Sequence, residues 1–133
     1  MKYFSLNPEY PYFTELESVV LREERRRELN VNLLKALNRL KKRLRPEKII
    51  LFGSLARGRV SPQSDLDLLI VEKNPPKRYW DRVKKIAPLF IDLSVGVDYV
   101  IWTPEEFASE VQRNPFLKEE ILQKGKVLYE RAA

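Results

Sequence analysis

LFGSLARGRVSPQSDLDLLIV, residues 51–71, is the stretch whose reading decides the fold. It opens at the end of an apolar run, Ile49-Ile50-Leu51-Phe52, whose length and β-branching suit a buried strand. Gly53 breaks the run. Ser54 is placed to cap a short helical turn, Ser54 to Arg57, whose first backbone N–H groups have no intrahelical partner. Such an end attracts phosphate. After Gly58 the polar, proline-containing loop from Arg59 to Ser64 turns the chain, and Asp65 to Val71 alternates as a second strand. Leu66, Leu68 and Ile70 then point one way while Asp65 and Asp67 point the other, with Cα atoms roughly 7 Å apart. Two carboxylates sharing a face repel, and a hard divalent cation with oxygen ligands resolves that repulsion; magnesium is the usual one where phosphate also binds. A phosphate-binding turn beside paired carboxylates is the arrangement for metal-assisted phosphoryl or nucleotidyl transfer. Taken singly, each feature is an ordinary turn or the solvent face of an edge strand; the order and spacing together give the pattern its weight.

Gly53-Ser54, ten intervening residues and then Asp65-Leu66-Asp67 resembles the signature of the DNA polymerase β-type nucleotidyltransferase superfamily. The flanks Phe52, Ala56-Arg57-Gly58 and Ser64 narrow the resemblance to its minimal nucleotidyltransferase members. It covers residues 46 to 104 well and the tail loosely, while the first forty or so residues lie outside it. The resemblance implies an α/β fold with a small mixed sheet packed with helices. It implies that the Gly53-Ser54 turn holds nucleotide phosphates, with Arg57 and Ser64 as further nucleotide-binding candidates. It also implies that Asp65 and Asp67 bind magnesium, two ions in all, and that a third acid on a later strand completes the site. Asp98 fits that third position, holding metal and accepting the proton of an acceptor hydroxyl. Asp92 competes with it, since a strand beginning earlier would put both on one face. Arg57 either offsets phosphate charge or forms a salt bridge within the turn. Members of this kind often act beside a HEPN-type helical partner as antitoxins able to adenylylate it, while others modify antibiotics.

Bulk composition narrows the chemistry independently. A chain of 133 residues is one domain's worth, and a formal net charge of +6 favours polyanionic partners such as nucleotides without naming one. There is no cysteine, so disulfide frameworks and thiolate chemistry are excluded. There is no histidine either, which removes the commonest general base and the Ser-His-Asp mechanism, leaving carboxylates and metal for proton handling. No apolar run approaches a membrane span and no signal-peptide core is visible, which makes a cytoplasmic location the expectation.

The remaining segments read as support. Residues 1–13 carry Tyr3, Phe4, Tyr10, Tyr12 and Phe13 among prolines and suggest an extended arm, its aromatics lying on the domain's own helices or on a partner. Thr14 to Asn30 and the set Leu33, Leu34, Leu37, Leu40 and Leu44 are helical in period, either as one long helix or as two joined near Asn30. A helix is expected from Lys77 to Leu93, with Pro88 threatening a kink, as the crossover of a parallel strand pair. Val97 to Trp102 reads as the next strand, with Asp98, Val100 and Trp102 on one face. Thr103-Pro104-Glu105-Glu106 is a capping box, followed by two short helices and a last edge strand around Val127 to Tyr129.

The division expected is an N-terminal arm and helical extension over 1–45 and a nucleotidyltransferase core over 46–133, within one compact domain. The function expected is magnesium-dependent transfer of a nucleoside monophosphate, AMP from ATP, to a hydroxyl of a protein partner, in the manner of the antitoxin of a HEPN pair. Against it stand an inactive transferase-fold module that masks a partner, and a small-molecule nucleotidyltransferase. A homo-oligomer is open, a membrane partner is not expected, and nucleic acid is not expected as the main partner, since no aromatic-rich RNA motif accompanies the basic helices.

Overall fold

A computed structural model describes residues 11–132, with side chains from residue 15 onward. The first element is a single helix, α1 (Pro11–Arg43). It is not divided at Asn30, because no proline or glycine interrupts residues 12–45 and the apolar spacing continues through Leu29, Ala36 and Leu40, all fully buried. The extended arm is corrected at its end, where Pro11 to Phe13 are already helical; proline is tolerated in a first turn, which needs no N–H from it. The rest of the arm lies outside the described residues. Lys41, Lys42 and Arg43 close the helix, where cations complement its dipole.

Strand β1 (Pro46–Phe52) leads straight into the short helix α2 (Gly53–Arg57), and after a loop comes β2 (Leu66–Glu72). The helix expected over 77–93 is shorter: α3 (Tyr79–Ile86) gives way to a 3-10 turn, Ala87–Leu89. Pro75 and Pro76 keep the preceding segment extended, and Pro88 has no N–H with which to continue the α-helical ladder. Strand β3 (Val97–Trp102) has the expected bounds, and α4 (Pro104–Arg113) starts on the complete Thr103–Glu106 capping box. The next helix is replaced by one α-helical turn, α5 (Pro115–Leu117), and a π-helical turn, Lys118–Gln123, before the edge strand β4 (Lys126–Glu130).

The sheet is mixed, in the order β3-β2-β1-β4. Strands β1 and β2 pair antiparallel, as do β1 and β4, while β2 and β3 run parallel across the α3 crossover. Two apolar layers flank it. On one face Leu66, Leu68 and Ile70 pack with Leu29, Ala36, Leu40, Ile86 and Ile101, so the C-terminal half of α1 belongs to the principal core. On the other face Ile50, Leu69 and Val71 pack with Ile121, Phe52, Val100, Trp102 and Phe107 beneath the C-terminal helices. Strand β2 is therefore covered on both sides, as its near-continuous apolar sequence requires. Among the described residues no helix is long and apolar enough to cross a membrane.

Candidate active site

Alternation along the strands carries the acids to one place. Asp67 lies in phase with Leu69 and Val71, and Asp98 in phase with Val100 and Trp102, so both belong to the face of the smaller apolar layer. Asp67 and Asp98 are direct partners in the parallel register of β2 and β3. On its other side Asp67 is paired with Phe52, the last residue of β1, immediately before Gly53. The N-terminal ends of β2 and β3 and the C-terminal end of β1 thus meet at one end of the sheet.

Gly53 is required there. Its φ is +76°, and a Cβ would stand 2.1 Å from Asp67 Oδ2, so the bare turn is what lets the carboxylate approach the start of α2. Ser54 does not cap this helix; Phe52 occupies the N-cap position with no side-chain hydrogen bond. The Ser54 hydroxyl instead donates to Ser64 Oγ at 3.2 Å, and Ser64 Oγ also accepts from the Ser61 N–H at 2.8 Å. The two serines predicted to contact nucleotide are therefore joined, and the polar loop is held against the Gly53-Ser54 turn.

Asp67 is half-buried. Its carboxyl is pushed up to about 6, first by burial and then by the negative charges of Asp98 and Asp65, with Arg57 pulling the other way. A carboxylate crowded by two others, all with hard oxygen donors, fits a divalent cation. Among the described residues, however, no three acidic side chains converge on one ligating point. The Asp65 Oδ1 accepts a hydrogen bond from Arg25 Nη2 at 3.0 Å. Asp98 is exposed.

Arg57 does not bridge within its own turn. Its guanidinium pairs with Glu120 of the π-helical turn at 2.6 Å, and the Glu120 charge reaches Asp67 as well. Asp92 is removed from contention: Arg39 on α1 holds it through both oxygens on the exposed surface, which keeps its carboxyl below the usual range. Arg25 and Glu120 are the site residues that the sequence did not disclose. Arg25 lies forty positions from Asp65 within the charged run Arg22 to Arg27, and Glu120 lies on the polar side of an amphipathic segment. Neither carries a motif.

A strand-turn-helix with a bare glycine at the carboxylate, followed by a register-matched acid on the parallel neighbour, is a recognisable structural unit. The family model described as "Nucleotidyltransferase domain" matches residues 32–128. MJ1305 of Methanocaldococcus jannaschii, provisionally named a protein adenylyltransferase, is 34% identical over 87 residues, covering 62% of this chain and 58% of the relative. The match therefore spans less than two thirds of that relative's length. MJ0604 of the same organism, with the same provisional name, is 35% identical over 99 residues, covering 74% of this chain and 90% of the relative. Among solved structures, a provisionally named nucleotidyltransferase from Sulfolobus solfataricus superposes with a TM-score of 0.62 at 18% identity, covering 84% of this chain and 88% of that one. A toxin-antitoxin structure with AMP-PNP gives a TM-score of 0.50 at 22% identity, covering 73% and 72%. At these identities the structural likeness is one of fold. The sequence matches carry the assignment further, and with the family model covering most of the described chain, this protein belongs to the nucleotidyltransferase domain family.

Proposed function

We propose that this chain is a magnesium-dependent nucleotidyltransferase that moves AMP from ATP to a hydroxyl group of a protein partner. The observation that carries the reading is the register pair Asp67–Asp98, with Asp67 standing directly over Gly53 at the start of α2. In this reading the Gly53-Ser54 turn receives the triphosphate, helped by Ser64 and by Arg57. Asp65, Asp67 and Asp98 hold magnesium, which supplies charge neutralisation at the phosphates and acidifies the acceptor hydroxyl. The acceptor oxygen forms its bond to the α-phosphorus while the bond from that phosphorus to the β-bridging oxygen breaks, so pyrophosphate leaves. Exposed Asp98 takes the acceptor's proton, a role that falls to a carboxylate in a chain without histidine.

A protein acceptor is supported by the provisional names of the two archaeal relatives. The toxin-antitoxin neighbour with AMP-PNP supports an adenine nucleotide and a pair-forming partner, which we take to be a HEPN-type protein. The test is to purify the chain with its natural partner, incubate with magnesium and each nucleoside triphosphate in turn, and measure intact masses. A gain of one nucleotide on the partner identifies donor and acceptor together. No gain with any triphosphate refutes the reading and favours a module that only masks its partner.

A further inference from the structure

The residue nearest the carboxylates that no catalytic role has yet absorbed is Arg25 on α1. Its side chain is only 17% exposed, and three acceptors hold its guanidinium. Nε donates to the Ser64 carbonyl at 2.9 Å, Nη1 donates to Glu28 Oε1 at 2.9 Å, and Nη2 donates to Asp65 Oδ1 at 3.0 Å. A guanidinium fixed on three sides is a rigid fork rather than a mobile counter-ion. One turn further along, fully buried Leu29 anchors the helix in the principal core, and Asn32 ties it to the loop before β3 by accepting from the Ser94 N–H at 3.0 Å. Arg25 is therefore presented from a fixed base.

The other side of Asp65 is shaped by Gly96. A Cβ there would lie 2.9 Å from Asp65 Oδ2, and the Gly96 carbonyl accepts the Leu66 N–H at 3.0 Å. The Asp65 carboxylate is thus gripped at Oδ1 and accommodated by a bare backbone beside Oδ2.

We propose that Arg25 is a positioning residue for Asp65: it retains Oδ1 throughout and leaves Oδ2 as the only oxygen that Asp65 offers to a divalent cation. The inference rests on the magnesium reading of the site. It differs from the alternative in which Arg25 merely occupies the cation's place, because the two predict opposite effects of removing it. A retained fork aims the ligand, so its loss weakens metal binding; outer partners of metal ligands typically contribute 10- to 100-fold in affinity. A competing cation, once removed, strengthens binding.

The test is binding of Mn2+ in the presence of AMP-PNP, followed by the loss of the free-ion paramagnetic resonance signal, for wild type, Arg25→Gln, Arg25→Lys and Arg39→Gln. Arg39→Gln removes a comparable arginine fork, to Asp92 and the Leu89 carbonyl, away from the site, and controls for general loosening of α1. The expected result is about tenfold weaker Mn2+ binding for Arg25→Gln, an intermediate value for Arg25→Lys, whose single ammonium cannot serve three acceptors, and no change for Arg39→Gln. Binding by Arg25→Gln within twofold of wild type, or tighter, overturns the proposal, as does an equal loss in Arg39→Gln. Should Arg25→Gln not fold, Arg25→Lys decides by the same criteria. If wild type itself binds no Mn2+ with AMP-PNP, the magnesium reading fails first and takes this one with it, which separates the two failures.

Discussion

Asp67→Asn is expected to make the metal-free protein more stable at neutral pH while removing its activity. Burial and two neighbouring carboxylates, rather than hydrogen bonds, set the Asp67 carboxyl at about 6 against an ordinary 3.8. A shift of that size corresponds to a ceiling of about 3 kcal/mol of unfavourable free energy for the ionised side chain. Because Asp67 is only half-buried, solvent screening reduces this to roughly 1–2 kcal/mol. The sign follows from proton uptake. Between pH 4 and pH 6 the native state binds a proton that the unfolded chain has released, so stability falls as pH rises through this window and the full penalty stands above it. The isosteric amide has no charge to confine. Thermal unfolding with chelator present, at several values between pH 5 and pH 8, should therefore show Asp67→Asn melting about 3–8 °C above wild type at pH 7.5, with the gap closing towards pH 5. A variant no more stable than wild type at pH 7.5, or a gap independent of pH, refutes the argument that like charge and burial raise this carboxyl.

Gly53→Ala should be destabilising by at least about 1 kcal/mol from the positive φ alone, and by more because its methyl meets Asp67 Oδ2; urea unfolding measures it, and wild-type stability would show that the turn adopts another conformation. Arg82 is buried and donates to the Pro76 carbonyl, the Ile101 carbonyl and Glu106 Oε1, so Arg82→Ala should cost about 3 kcal/mol by leaving these acceptors unmet, with a lower denaturant midpoint as the readout. Glu120→Gln should release Arg57 for triphosphate and lower the KM for ATP about fivefold, equivalent to about 1 kcal/mol, with kcat little changed; a raised KM would assign Glu120 to substrate binding instead.

What could be read in the sequence was whatever depends on local periodicity. The two-residue alternation of β2 follows from Leu66, Leu68 and Ile70 against Asp65 and Asp67, so the face shared by that pair is legible in the sequence, whereas the place of Asp98 opposite Asp67 follows from the parallel pairing of β2 with β3. The capping box at Thr103 was equally local. The errors arose where tertiary context decides. Ser54 carries the side chain of an N-cap, yet the short helix already begins at Gly53, with Phe52 at the cap position, and the hydroxyl finds Ser64 ten residues away. The turn around Glu120 has ordinary amphipathic spacing, which discloses neither its π-helical geometry nor the pairing of Glu120 with Arg57. Arg25 was one arginine among several, and nothing short of the packing of α1 on the sheet could distinguish it from Arg26 or Arg27.

The N-terminal helix therefore cannot be treated as an appendage to the catalytic unit. The family match begins at residue 32, inside α1, but the helix has no hinge at that point. A helix is stiff over a few turns, so the packing of Leu29, Ala36 and Leu40 into the principal core fixes where the turn upstream of Leu29 must lie. That turn carries Arg25, itself bonded to Glu28, against Ser64 and Asp65, at the junction of the polar loop and β2. Residues on the side of α1 outside the matched segment are thus coupled to an acid of the candidate site through the Arg25–Asp65 hydrogen bond and a rigid rod. Any account that starts the functional unit at β1 leaves the Asp65 carboxylate without the group that orients it.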